Sequence, residues 1–514
     1  MRTLPAFTEG HYTQSGSLHT SFTHRLLGAV SKRIDHALGV FFAWFDNAFR
    51  HSICGRAVLD LNERFARWIP ASVGVRCLKL LVASHGRHVT AGTFLGIVLG
   101  LGAFLPTEIQ LVCFALFLFL YLWWRWGSKN SVVSLRLGEF PGPGEAPRSA
   151  GGSGNGRIWF HLPFKVVLPL VVLFMFIAGA AVSSVIPRRS LMNLVLWCSY
   201  GLVFAAALDM SSRGEEDSII WPFLTGVTLS SMIGIYQYLS GWQATRSSWL
   251  DEKFQDEITR VIGTFDNPTF FAEMIGLALP VTLALLIRNK SFLDKGILLV
   301  YAAIQGAALV LTWSRGAWLG FIASFALLAV LFDKRLMLVG LIAAMLAVIV
   351  APPVLVERLL SSFSLEDSSN SYRVFIWRGS LALLREHIFR GVGLGADSFA
   401  QVYPEYMIIQ TPAPHAHSTY LQMLIELGLC GFLALIWLLL VCGWQSLRVL
   451  FTQKGVGFER WARVGVLSGV VAAVGGHMLQ GLVEHTWYNP QITVVFWAWT
   501  GVAVGISYGM EARR

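Results

Sequence analysis

The chain is poor in charge, with only 14% of its 514 residues being Asp, Glu, Lys or Arg while 55% are apolar. With long apolar runs, that scarcity excludes a soluble globular class. Cysteine is scarce too: the six residues Cys54, Cys77, Cys113, Cys198, Cys430 and Cys442 lie in the N-terminal region or within apolar runs. None falls in an expected external loop, so neither a disulfide framework nor a cysteine metal cluster is expected. The first 25 residues lack the compact apolar core of a cleavable signal peptide, and the first spanning helix is expected to direct insertion. There is no visible internal repeat, which weighs against the inverted-repeat construction of many transporters. A nucleotide-binding loop is also missing, because Gly391-Val-Gly-Leu-Gly395 has the glycines but no preceding parallel strand.

Apolar runs of about 18–20 residues recur from about residue 91 onward, the length of a membrane-spanning helix. The expectation is an all-α polytopic membrane protein of about twelve spans, near 91–106, 108–126, 164–186, 190–210, 219–240, 268–288, 296–313, 316–332, 336–356, 419–441, 463–484 and 490–508. The net charge of +10 then reports topology. With the N-terminus in the cytoplasm, most basic residues fall inside, including Arg288, Lys290, Lys295, Lys334, Arg335, Arg513 and Arg514. No DNA- or RNA-binding motif accompanies them, so no nucleic-acid partner is expected. The C-terminus is likewise expected inside.

Residues 1–88 form a basic cytoplasmic extension ahead of a membrane catalytic domain over 89–514. Phe41, Phe42, Trp44, Phe45, Phe49, Phe65 and Trp68 interleave there with Arg and Lys. That pattern fits amphipathic helices on anionic membrane lipids, and equally a small helical domain packed on the spans. Residues 138–157, rich in Gly, Pro and Ser, read as a flexible cytoplasmic linker. Trp123, Trp124 and Trp126 are read as interface anchors.

Two external loops are long, at about 241–267 and 357–418. In the larger, Asn370 or Ser371 is placed to cap a helix over 372–389, with Val374, Trp377, Leu381, Leu384 and Ile388 on one face and Gly391, Gly393 and Gly395 as the stop. This helix is expected on the outer membrane surface. The loop ends in Pro414-His415-Ala416-His417-Ser418-Thr419, running directly into a span.

His417 is the candidate general base, since neutral imidazole accepts a proton near neutral pH and this one sits at the water–lipid boundary. His415 is its support or a second substrate contact. A zinc site on the two histidines, completed by Glu426, His485 or His387, lacks support from ligand spacing, so neither metal nor other cofactor is expected. Arg315, in the external turn between two spans, is the first candidate for gripping a diphosphate, and Arg373 the second. Arg260 is read as holding either the carrier or the local fold. Arg378, Arg385 and Arg390 are read as surface residues. His477, Gln480 and Glu484 are spaced along one helical face, with His485 beside the last. Interior hydrogen bonding and acceptor binding explain that stripe equally well.

Four runs carry a family resemblance: His417-Ser418, then nine residues, then Gly428-Leu-Cys-Gly431; Thr312-Trp-Ser-Arg315-Gly-Ala-Trp-Leu319; Arg260 through Pro268; and Tyr372-Arg373 with Trp377 leading to Gly391–Gly395. In that order the chain, over about 90–510, resembles the O-antigen ligase and polysaccharide polymerase family. The resemblance implies a GT-C-like, metal-independent inverting glycosyltransferase. Its donor would be a glycan on undecaprenyl diphosphate, and its acceptor a glycan, a lipid A core or a protein hydroxyl. It also implies a base role for His417 and an arginine pair, Arg315 and Arg373, on the diphosphate. The work would be done at the outer face of the cytoplasmic membrane, in lipopolysaccharide or other surface polysaccharide biosynthesis. The pattern after His417 leans toward a ligase; a polymerase, a protein O-oligosaccharyltransferase and, from another class, a lipid-linked glycan flippase stand beside it.

Overall fold

The computed structural model describes residues 91–101, 113, 117, 133–137, 158–241, 259–350, 353–361, 368–452 and 458–512. The extension over 1–88, the linker over 138–157 and the tryptophans at 123, 124 and 126 lie outside the described residues. The chain divides into two compact units.

The smaller unit spans 1–69, 124–139 and 149–164, and its described part is a two-stranded parallel sheet. Strand β1 (Val133–Leu137) pairs with β2 (Ile158–Leu162), Val133 opposite Ile158 and Leu137 opposite Leu162. Among the described residues this short pair is the one departure from a fold that is otherwise all-helical, as expected. In Val133-Ser-Leu-Arg-Leu137 the apolar residues occupy every second position, a strand's period rather than a helix's.

The larger unit is helical. Its elements are α1 (Ala91–Leu101), α2 (Phe164–Val182), α3 (Pro187–Ser212), α4 (Glu216–Leu239), α5 (Pro268–Arg288), α6 (Phe292–Leu311), α7 (Arg315–Leu331), α8 (Arg335–Val350), α9 (Pro353–Leu360), α10 (Ser368–His387), α11 (Ala396–Val402), α12 (Thr419–Thr452), α13 (Phe458–Gln480) and α14 (Pro490–Glu511). A 3-10 turn, Tyr403–Tyr406, follows α11. Eight of these, α2 to α6 and α12 to α14, are long and apolar enough to cross a membrane. They coincide with eight of the expected spans. Helix α7 is apolar but only 17 residues long, and α8 has 16. The first expected span is represented by α1, and the second lies almost wholly outside the described residues.

Helix starts follow local chemistry. Proline opens α3, α5 and α14, where its missing N–H costs nothing. Asn267 and Asn489 cap the last two by accepting from the backbone N–H groups of Thr269 and Gln491. Helix α14 is the most enclosed element and runs against α3 at backbone distance. A Cβ on Gly501, Gly505 or Gly509 would stand 2.4 Å from the carbonyl oxygen of Phe204, Leu208 or Ser212. Small residues four apart let two apolar helices close in this way.

At the end of the unit where α3, α5 and α14 finish and α4 and α13 begin, arginines meet carboxylates one to one. Arg463 Nε donates to Glu216 at 3.0 Å, Arg213 pairs with Asp209 at 2.8 Å, and Arg288 pairs with Asp217.

The long segment before α12 is a small folded cluster. Ile376, Leu383 and Leu384 of α10 pack with Val392, Phe399, Tyr403, Ala413, Ala416 and Ile425. The buried face is therefore rotated from the one expected. Leu381 is 49% exposed, because the loop's own core lies on the Ile376–Leu383 side. Helix α10 also begins earlier than the expected cap, at Ser368. Its far end is locked to α12. Gly428 breaks that helix with φ +68° and ψ 177°, a conformation essentially reserved for glycine. The break frees Ile425 O to accept from Val392 N (2.9 Å) and Leu429 N to donate to Ile388 O (2.7 Å). Neither Gly391 nor Gly428 has room for a side chain there: a Cβ would meet a facing carbonyl oxygen at 2.5 Å.

Candidate functional site

The Gly391–Gly428 lock holds the segment that enters α12. The backbone N–H of Ala416 donates to Gln422 Oε1 at 2.8 Å, and Gln422 Nε2 donates to Glu426 at 2.8 Å. The other Glu426 oxygen accepts from Gly395 N at 2.6 Å. Thr419 N donates to the carbonyls of Gly481 and Glu484, at 2.8 and 3.1 Å, so the end of α13 receives the start of α12. Between these anchors His417 is forced to φ +47°, and the carbonyl it presents accepts from Trp377 Nε1 at 3.3 Å. A left-handed non-glycine residue costs about 1–3 kcal/mol and persists only where its surroundings over-determine it.

His417 Nδ1 lies 3.0 Å from Glu484 Oε1, and Arg373 NH2 donates to Glu484 Oε2 at 2.7 Å. Burial alone would raise the Glu484 carboxyl. That is the largest single influence, but Arg373, His417 and His415 together outweigh it, and the group is held well below the carboxylate range. An ionised carboxylate only accepts, so Nδ1 carries the proton and Nε2 the basic lone pair. His415 is 8% exposed; its Nδ1 accepts from His417 N at 3.2 Å. Burial first, then the neighbouring His417, pull its pKa well below the ordinary value, so it stays neutral.

The second wall comes from the turn between α6 and α7. Trp313 takes φ +54°, turning the chain so that Arg315 begins α7. Arg315 NH1 donates to Ser361 Oγ at 2.8 Å, and that hydroxyl donates to Arg358 O at 2.9 Å. Arg260 Nε donates to Thr312 O at 2.8 Å, pinning the same turn from the loop before α5.

All these groups line one cavity of about 670 Å³. His417, His415, Glu484, Arg260, Arg315 and Arg373 meet there, although the sequence spreads them from residue 260 to residue 484. Arg358 joins them, only 4% exposed, and was not anticipated; nothing in Val-Glu-Arg-Leu-Leu marks it from a surface arginine. Four arginines thus face two carboxylates, Asp266 and Glu484. Burial, then Arg358 and Arg315, bring the Arg260 guanidinium down to about 9, which shows how closely the positive charges crowd. The N-terminal turns of α5 and α7 also open here, through Asn267, Thr269, Ser314 and Gly316, and add their favourable field for an anion.

The expected polar stripe is corrected. Helix α13 stops at Gln480, its last turn tightening through Leu482 N to Leu479 O and Val483 N to Gln480 O. Glu484 therefore projects from a loop, not from a helix face. Gln480 lines the cavity, whereas His477 lies outside its lining, against the Phe496 ring at 5.7 Å. Arg378, Arg385 and Arg390 are exposed.

His415, His417 and Glu484 offer three metal-type ligand atoms within 4.8 Å of one another. The third group differs from those expected to complete a zinc site, since Glu426 is held by Gly395 and Gln422. The fit to a dication is poor: Glu484 already carries Arg373, and the surrounding guanidiniums repel a cation.

The family model described as O-antigen ligase matches residues 297–436. That stretch holds Arg315, Arg358, Arg373, His415 and His417, whereas Arg260 and Glu484 lie outside it. No curated protein matches the chain.

Proposed function

We propose that this chain, which belongs to the O-antigen ligase family, transfers a glycan from a polyprenyl diphosphate carrier to an acceptor hydroxyl at the outer face of the cytoplasmic membrane. The carrier fitting the family is undecaprenyl diphosphate. One observation carries the reading: a cavity lined by four arginines meets an oriented imidazole–carboxylate pair. A diphosphate diester brings about two negative charges, and guanidinium groups bind its oxygens bidentately.

In the proposed step, Nε2 of His417 takes the proton of the acceptor hydroxyl as its oxygen attacks the anomeric carbon. The new C–O bond forms as the bond to the diphosphate oxygen breaks, with inversion, and the electron pair leaves on the carrier diphosphate. Arg315 and Arg373, with Arg260 and Arg358 behind them, stabilise the charge that accumulates there. Glu484 keeps Nδ1 protonated and stabilises the imidazolium that forms. The arginines supply the electrophilic assistance, so the step is written without a metal.

The test is reconstitution of the full chain in nanodiscs with an undecaprenyl diphosphate-linked oligosaccharide. Free undecaprenyl diphosphate and a glycosylated acceptor are expected, and His417→Ala should slow their release about 10²- to 10⁴-fold. Normal turnover by that variant would falsify the base assignment. Movement of the donor between leaflets without transfer would mark a flippase instead.

A further inference from the structure

Beside the arginine-lined cavity lies a second one, of about 340 Å³, with a different lining. It holds no Arg or Lys. Its walls carry Trp197, Tyr200, Trp487 and Tyr488, with Asn193 and Asp397 as polar groups. Trp487 is only 7% exposed, yet its Nε1 has no hydrogen-bond partner among the described residues; His485, 4% exposed and also lining the cavity, leaves Nδ1 in the same condition. Unpartnered buried polar atoms are costly and call for a missing partner.

The two cavities share Pro414 and Tyr488. Across that shared wall the rings form a short series: the His415 centroid is 4.7 Å from Tyr488 and 4.3 Å from His417. A molecule seated against Tyr488 in the second cavity is therefore two rings, Tyr488 and His415, away from the proposed base. Aromatic faces with a carboxylate and a carboxamide suit a sugar, whose C–H face packs on rings while its hydroxyls bond the polar groups. The volume falls within the usual range of about 300–1,000 Å³ for small-ligand sites. No Arg or Lys is among its described lining residues, and the neighbouring Arg189 is taken up by Asp397 at 3.7 Å.

We infer that this cavity is the acceptor subsite. It takes the terminal saccharide of the acceptor against Trp487 and Tyr488, with Asp397 and Asn193 binding its hydroxyls, and offers one hydroxyl across Pro414 to His417. The inference rests on the transfer reaction proposed above, and it commits the acceptor to a carbohydrate rather than a protein hydroxyl.

Two variants test it in the full chain in nanodiscs. Ala400→Trp fills the cavity from an exposed position, and Asp397→Ala with Asn193→Ala removes the two polar groups assigned to the hydroxyls. Acceptors are a lipid A–core preparation, the carrier-linked repeat itself and a Ser/Thr-rich peptide. The acceptor KM for the active saccharide should rise about tenfold or more in both variants, the loss of about 1.4 kcal/mol of binding, with donor KM and donor hydrolysis unchanged. An unchanged acceptor KM, a shift confined to donor KM, or preference for the peptide would overturn the subsite. Should Ala400→Trp not fold, the double variant decides alone. Saturation-transfer NMR with lipid-free core oligosaccharide and freed repeat separates the two readings. Saccharide binding lost in the variants, without carrier release by the wild type, sinks the transfer reaction but keeps the subsite; carrier release without saccharide binding does the reverse.

Discussion

Arginines gather at both ends of α5 and α13, and the two gatherings obey different rules. At one end each guanidinium has a carboxylate of its own: Arg463 with Glu216, Arg288 with Asp217, Arg213 with Asp209. At the other, Arg260, Arg315, Arg358 and Arg373 share a cavity with two carboxylates, one of which, Glu484, also serves His417. A matched pair closes its own electrostatic account and belongs to the fold. Four guanidiniums converging on one open cavity can receive an anion, which a closed pair cannot. Buried arginine alone does not mark function; the space it faces does.

The comparison breaks most sharply on one pair of variants. Arg315→Ala should lower carrier release about 10²- to 10³-fold, the usual loss for one charge-stabilising donor, while leaving thermal stability unchanged or raised because it relieves repulsion with Arg260. Arg463→Ala should do the opposite. It strands a buried Glu216 and costs about 3–5 kcal/mol of stability, with near-normal turnover per folded molecule. Melting curves beside activity decide, and a destabilised Arg315→Ala would erase the distinction.

Gly428→Ala tests what holds the cavity end together. A Cβ there meets Phe389 O at 2.5 Å in a backbone conformation alanine avoids, so about 1–3 kcal/mol of strain must be taken up or the Ile388–Leu429 and Val392–Ile425 bonds lost. Stability and transfer should fall together, because the lock positions His417. Loss of transfer with an unshifted melting curve would give Gly428 some other role.

These residues also show how far a sequence carries. The edges of α5 and α12 are written locally, in Asn267-Pro268 and in the polar approach to Thr419, and the histidine and three of the arginines announce themselves as polar groups beside spans. The glycines were legible as stops, but not as partners: that Gly391 and Gly428 interlock is a fact of packing between segments. Arg358 reads no differently from the exposed Arg378. Glu484 reads as part of a helical stripe because periodicity continues past Gln480, where the chain has already turned to meet Thr419. The β1–β2 pair is hidden from apolar run length because its alternation lasts only five residues in each strand.

Glu484→Gln probes the one carboxylate asked to serve two partners. The carboxamide loses the charge that orients Nδ1–H of His417 and neutralises Arg373, and kcat should fall about ten- to a hundredfold. Acceptor KM should hold, and Glu484→Asp should recover part of the loss. A purely structural Glu484 would lower the amount of folded protein and leave kcat alone.

The smallest effect is a pH slope. Burial brings the folded His485 down to about 3, with Glu484 opposing and His417 adding to the shift, whereas an unfolded histidine titrates near 6.5. Below about 6.5 the unfolded chain takes up a proton that the folded one refuses, so stability falls as pH drops from about 6.5 toward 3, by at most about 1.4 kcal/mol per unit for this ring. His415 contributes with the same sign. Glu484 leaves most of the window clear, since its depressed carboxyl begins to give up its share of stability only as pH falls through its ordinary value of 4.5. His485→Asn should therefore flatten the acid limb of a melting-temperature profile between about pH 6.5 and 4 and leave the neutral plateau in place. An acid limb of undiminished slope would mean that the ring protonates in the folded state, and that the wall between the two cavities is wetter than its burial implies.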